Sequence, residues 1–214
     1  MTIRTKNPLL AVKLGYLDLF RELSALPAAH PKQADFAARG CPAFQIQVSL
    51  AFFRDEARAV FEPGAPSAAE RIEGLYALAE AGIATVLRID PLFPRSPLPL
   101  TPRKAMKDFG LPEAQTLDDL EHLVDLARSA GASHVVYSPV KIVQPRWRPL
   151  SGPMAALLAV YRAVASPDKP VWRGMSWRLP STVADEHVVG PFLEICQRTR
   201  VIPKFCMQDL IDTP

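Results

Sequence analysis

Cysteine is nearly absent from this chain of 214 residues: Cys41, Cys196 and Cys206 stand far apart and are odd in number. That excludes a disulfide scaffold and points to a reduced, cytoplasmic chain with free structural thiols. Only four histidines occur, His30, His122, His134 and His187, and none has metal-ligand spacing to another. Long apolar runs are missing too. Leu9-Leu10-Ala11-Val12 is broken by Lys13, so neither a membrane span nor a signal peptide is expected. Charge of one sign is nearly balanced by the other. The net +3 permits an anionic partner without demanding one. Glycine is scarce, 10 residues against 22 prolines, and the prolines gather after the expected strands. What remains is ordinary for a globular chain, 49% apolar and 22% charged, and long enough to bury a full core.

Three segments repeat one plan of helix, glycine, strand. In the clearest, Ser67 and Glu70 form a capping box, and Ile72, Leu75, Leu78 and Ala79 define a buried helical face. Gly82 ends that helix, and Thr85-Val86-Leu87-Arg88-Ile89 is the strand. In the second, Thr116 and Asp119 cap, Leu117, Leu120, Leu123, Val124 and Ala127 face the core, Gly131 stops, and His134-Val135-Val136-Tyr137-Ser138 is the strand. The third runs from a helix at 16–26 past Gly40 to the strand Gln45–Leu50. With Thr2–Thr5 in front, four strands alternate with helices, which predicts a parallel α/β sheet. Periodicity alone leaves a doubly wound sheet and a barrel both open. Further helices are expected at 154–165 and 188–198, and 92–114 and 139–151 are long proline-rich loops of the kind that carry function.

Ligands of parallel α/β folds lie at the C-terminal ends of the strands. Those ends here carry Thr5 and Lys6, then Ser49, then Arg88 and Asp90, then Ser138 and Lys141. Four strands ending in polar groups point to one polar site, although Lys6 and Asp90 would also make a purely structural ion pair. Every tryptophan is next to an arginine, in Arg146-Trp147-Arg148, Trp172-Arg173 and Trp177-Arg178. Such pairs suit stacking on bases with phosphate contact, and equally suit surface cation–π pairs.

The run Val48-Ser49-Leu50, Phe61-Glu62-Pro63-Gly64-Ala65-Pro66-Ser67, Arg71 and Val86–Pro94, preceded by Ile3-Arg4-Thr5-Lys6-Asn7, resembles the middle of radical S-adenosylmethionine proteins of the spore photoproduct lyase and DNA repair photolyase-like type. The resemblance implies a partial (β/α) TIM-like barrel over residues 1–150, truncated at the N-terminus, with a C-terminal helical extension over 151–214. It implies S-adenosylmethionine as cofactor, with Lys6 at the methionine carboxylate, Ser49 at the ribose or amino-acid end, and Arg88 and Asp90 flanking the adenosyl group. Asp90 departs from the family pattern, in which an apolar or small residue is common. The family's four-iron four-sulfur cluster sits on a Cys-x-x-x-Cys-x-x-Cys loop, and this sequence has no such loop. The implied function is radical lyase-like chemistry on a nucleic-acid-type substrate, a 5′-deoxyadenosyl radical abstracting hydrogen, incomplete unless a second chain supplies the cluster. The implied partners are nucleic acid, contacted by the tryptophan–arginine segments, and a second chain or a second copy completing the barrel. Two other readings stand beside it: a non-catalytic nucleotide- or partner-binding protein on a barrel-derived fold, and an aldolase-like barrel with Lys6 as Schiff base.

Overall fold

The computed structural model describes residues 1–25, 42–99, 101, 103–145, 149–164, 170–171 and 174–206. Its main sheet has five parallel strands in the order β1 (Thr2–Thr5), β2 (Gln45–Ser49), β3 (Thr85–Leu92), β4 (Val135–Pro139) and β8 (Pro203–Phe205). Strand order follows chain order without reversal. A doubly wound sheet must reverse at a switch point. Right-handed crossovers that always step the same way put every helix on one face and curl the sheet into part of a barrel. The helices are α1 (Pro8–Lys13), α2 (Leu17–Ala25), α3 (Asp55–Phe61), α4 (Ala68–Glu80) and α5 (Leu117–Ser129), then α6 (Gly152–Val164). Next comes α7 (Ser181–Ala184), which continues through a π-helical turn at Asp185–Val189 into α8 (Gly190–Thr199). The four strands that periodicity predicts are all present.

Local chemistry explains the two best-formed crossovers. Ser67 Oγ accepts from the Glu70 N–H, and Glu70 returns a carboxylate oxygen to the Ser67 N–H at 2.8 Å. Thr116 and Asp119 repeat the box at α5. Gly82 adopts φ +77° just past α4, the left-handed turn that lets the chain drop into β3. Gly74 serves a different purpose. A Cβ on it would lie 2.5 Å from the Leu9 main-chain nitrogen and 2.7 Å from the Pro8 ring, so α1 rides directly on the α4 backbone. Gly74→Ala is expected to cost about 1–3 kcal/mol, because the clash is with main chain. A urea midpoint within error of the parent would contradict this packing.

Alternation along the strands separates two faces. Ile46, Val48, Leu87, Ile89 and Val135 face the helices and join Leu75, Leu78, Leu120 and Leu123 in the core. Val86 and Val136 face the other way and form a small separate cluster with Cys206. The concave, helix-free face is therefore built by the alternate residues, and these include most of the polar ones.

The C-terminal part holds the two expected helices, and with them strands that periodicity does not announce. Pro203–Phe205 adds the fifth parallel strand beside β4. A separate antiparallel ribbon pairs β5 (Ile142–Pro145) with β7 (Gly174–Trp177), and β7 with β6 (Pro170–Val171). These pieces are two to four residues long, too short to show a period. Leu157, Val160 and Tyr161 of α6 join the main core, and the Tyr161 hydroxyl donates to the Val140 carbonyl at 2.8 Å. Among the described residues no helix is long and apolar enough to cross a membrane.

His134 immediately precedes β4 in a buried position, its Nδ1 2.9 Å from Ser133 Oγ. Burial first, and the positive charge of Lys204 second, push its pKa down from 6.5 to about 4. Between those values the unfolded chain binds a proton that the folded chain refuses. Stability is thus complete above the unfolded value and falls as pH drops through 6.5 toward 4. The expected loss is on the order of 2–3 kcal/mol, and His134→Gln should flatten the profile. Urea midpoints taken across this range measure it. A slope that persists in the variant assigns the effect elsewhere.

Candidate functional site

Arg88 is the centre of the concave face. β2 and β3 are in parallel register, so Ser49 lies beside Arg88 and Gln47 beside Val86. The Arg88 guanidinium donates through Nη1 to Gln47 Oε1 at 3.0 Å. Its Nη2 donates to Asp90 Oδ2 and reaches Cys206 Sγ at 3.3 Å. Ser138, at the end of β4, donates to the other oxygen of Asp90 at 2.6 Å. Three strands, β2, β3 and β4, thus contribute to one hydrogen-bonded chain, Gln47–Arg88–Asp90–Ser138, with the thiol of Cys206, just past β8, beside it. Arg88 and Asp90 side chains are only 9% and 14% exposed. Ion pairing is what makes such burial tolerable, since an isolated charge there would cost several kcal/mol.

A second ionic group lies at the ends of β1 and β2. Lys6 Nζ is 2.7 Å from Glu62 Oε1. Arg71, from the first turn of α4, is almost fully enclosed and has three directions to satisfy. Its Nε donates to the Pro66 carbonyl at 3.0 Å and its Nη1 to the Ser49 carbonyl at 2.9 Å. Its Nη2 lies 2.7 Å from Glu62 Oε2, off the angle of a good hydrogen bond, so that contact is chiefly ionic. Phe61, next to Glu62 in the chain, stacks on Phe52, and both meet Phe93 at a tilt, with centroids 5.0 to 5.5 Å apart. One buried carboxylate thus serves two cations, and the local charge is positive. Lys6 remains half-exposed at the rim while Arg71 fixes the end of β2.

The strand-end residues fall as follows. Arg88, Asp90 and Ser138 form one network, and Ser49 lies next to it in the register. Lys6 stands at the neighbouring rim, and its carboxylate partner is Glu62 rather than Asp90. Residues not named from the strand ends prove equally central: Gln47, Glu62, Arg71 and Cys206. A signal for Gln47 was present, because Gln45, Gln47 and Ser49 put a polar group at every second position of a strand whose other face is apolar. Nothing local marks Glu62 as the partner of two cations, Arg71 nine residues on and Lys6 far back in the sequence. Of the tryptophan–arginine segments, Arg146, Trp147, Arg148, Trp172 and Arg173 lie outside the described residues. Trp177 and Arg178 are half-buried at the end of β7, and the Trp177 ring lies under Arg162, 5.4 Å from its guanidinium carbon.

Comparison with known proteins bears on this geometry through the fold. A spore photoproduct lyase mutant structure aligns with a TM-score of 0.53 and 10% identity, covering 96% of this chain and 61% of that one. The fold is like that of spore photoproduct lyase. A second mutant structure of that enzyme, with bound AdoMet and dinucleoside spore photoproduct, aligns at 0.50 and 10% identity, covering 88% of this chain and 54% of the other. The chain therefore spans less than two thirds of the length of these neighbours. At such identity the likeness extends to the partial-barrel fold and no further. No family model and no curated protein matches the sequence.

The donor set bears on the two groups that the sequence resemblance implies. A four-iron cluster needs thiolates close together on one loop. Cys196 is buried in α8, its thiol pushed up to about 12 by burial, and Cys206 is enclosed beside Arg88. Cys41 lies outside the described residues. Two thiols cannot hold such a cluster, and among the described residues no three His, Cys, Asp or Glu side chains gather as metal ligands. The polar face carries groups of several kinds: Arg88 and Asp90 hold opposite charges and pair with each other, Ser138 donates to Asp90, Ser49 lies beside Arg88 in the register, and Lys6 pairs with Glu62 at the rim.

Proposed function

We propose that the concave face binds S-adenosylmethionine, and that the chain is the ligand-holding portion of a radical S-adenosylmethionine-type enzyme acting on a nucleic-acid-like substrate. The observation that carries this reading is the Gln47–Arg88–Asp90–Ser138 network on the helix-free face of a singly wound sheet. Lys6 would face the amino-acid carboxylate, Ser49 the ribose or amino-acid end, and the Arg88–Asp90 pair the adenosyl group. When bound, S-adenosylmethionine supplies a sulfonium carbon–sulfur bond that can be cleaved by an electron from a reducing centre. This chain's own residues provide position. The sheet holds the polar groups rigidly, and the ion pairs fix their rotamers before the ligand arrives. The sequence carries no Cys-x-x-x-Cys-x-x-Cys loop to seat the reducing centre, so this stretch of chain would bind without turnover unless another segment or chain supplies it.

Isothermal calorimetry with S-adenosylmethionine and S-adenosylhomocysteine tests the reading. Weak binding of both is expected, and Lys6→Ala should weaken it by roughly 1–3 kcal/mol, the worth of a charge-assisted hydrogen bond. Absence of heat with either ligand, or Lys6→Ala unchanged in a chain that binds, would overturn the assignment.

A further inference from the structure

We propose that Gln115 is a positioning residue of the candidate site. Its buried carboxamide holds the irregular end of β3 against the end of β2, and so sets where Asp90 stands relative to Arg88 and Ser138. Placement of this network does not depend on what binds there, whereas the affinity measured below rests on the ligand reading given above.

The β3–β4 ladder is regular only as far as Ile89. Ile89 pairs with Tyr137 and Leu92 with Pro139, so Asp90 and Pro91 together oppose Ser138 alone. The extra residue shows in the packing as well, since Ile89 and Leu92, three apart, both join the core. Such a bulge re-aims side chains and leaves its additional residue outside the ladder. Pro91 has no N–H with which to pair. On the other side of β3, β2 ends at Ser49, opposite Arg88 and short of Asp90. The sheet therefore leaves Asp90, on which both Arg88 and Ser138 converge, to be placed by something else.

Gln115 supplies what the ladder omits. It is completely buried. Its Nε2 donates to the Pro91 carbonyl at 3.1 Å and to the Ala51 carbonyl at 2.7 Å, and its Oε1 accepts from the Phe93 N–H at 2.9 Å. Both amide hydrogens and the amide oxygen are thus used, on main-chain groups that flank the bulge and follow β2. Gln115 itself stands on fixed ground. Thr116, the next residue, caps α5 together with Asp119, and Arg54 ties Asp119 Oδ2 at 3.0 Å to the Glu113 carbonyl at 2.9 Å. A leucine here has the volume without the donors. A glutamate has the shape, and when ionised it sets a carboxylate against two carbonyls.

Urea midpoints in a double-mutant cycle separate positioning from packing alone. Gln115→Leu should lower the midpoint more in the parent chain than in Arg88→Met/Asp90→Leu, where no ion pair is left to misplace. A glutamine that only packs costs the same in both. Gln115→Glu, closer in shape, goes through the same cycle, so the comparison stands even where Gln115→Leu does not fold. Calorimetry gives the second measure. At neutral pH Gln115→Glu should weaken S-adenosylmethionine roughly tenfold, the effect of one displaced hydrogen bond. Its deficit relative to the parent should shrink as pH falls, because a protonated carboxyl donates to a carbonyl as the amide does. Equal midpoint losses in the two backgrounds overturn the proposal. So does full affinity of Gln115→Glu at neutral pH. A parent chain that does not bind S-adenosylmethionine overturns the ligand reading instead, and the midpoints then decide on Gln115 by themselves.

Discussion

Replacing Arg71 by alanine is expected to remove about 3–5 kcal/mol of stability, the cost of breaking a buried ion pair by deleting one partner. Arg71 is 1% exposed and ties together three points of the chain: the Pro66 carbonyl before α4, the Ser49 carbonyl at the end of β2, and Glu62 after α3. Deleting it leaves two carbonyls and a carboxylate short of a donor, and Lys6, half-exposed, reaches only one oxygen of Glu62. Arg71→Lys should recover little. A lysine has one ammonium at the tip of a flexible stem, whereas the planar guanidinium sends donors in three fixed directions. Urea unfolding should show the loss as a lower midpoint at unchanged slope. A loss below about 1 kcal/mol in Arg71→Ala would mean that the ends of β1 and β2 are held by other contacts.

Arg88→Met should cost nearly as much, for a related reason with a different remedy. Asp90 would keep the Ser138 hydroxyl and lose its counter-charge while still 14% exposed. Removing one partner of such a pair costs about 3–5 kcal/mol, whereas replacing both by apolar residues of similar volume is often neutral. The double variant Arg88→Met/Asp90→Leu should therefore recover most of the stability lost in Arg88→Met, on a face whose neighbours Val86 and Val136 are already apolar. The same double variant should lose binding of S-adenosylmethionine, because the polar face is then gone. This separates the structural role of the network from the ligand-binding role proposed for it. Recovered stability with retained binding would place the ligand elsewhere, and absence of recovery would show that Gln47, Ser138 and Cys206 cannot accept an apolar neighbour.

A great deal of the local structure was legible. The capping boxes at Ser67 and Thr116, the glycine stops at Gly82 and Gly131, and the four alternating strands depend on contacts three or four residues apart, and short-range chemistry is written in short-range sequence. Strand ends rich in polar groups were visible in the same way, because a strand leaving the core must change character abruptly. The pairing of those groups was not visible. Lys6 finds Glu62 and Asp90 finds Arg88, although Lys6 with Asp90 is just as plausible on paper.

The sequence by itself determined the class of fold: helices and strands in alternation, a parallel sheet, and polar groups where the strands end. Tertiary structure decided three further matters. Strand order, unreversed from β1 to β8, made the sheet part of a barrel rather than doubly wound, and order is a long-range property that no period encodes. Cys206 came to lie beside Arg88, 118 residues away in sequence, because β8 docks next to β4. Finally, the face of each strand that lacks helices became the candidate site. A period of two tells which residues share a face, and only the packing of α4 and α5 tells which face is covered.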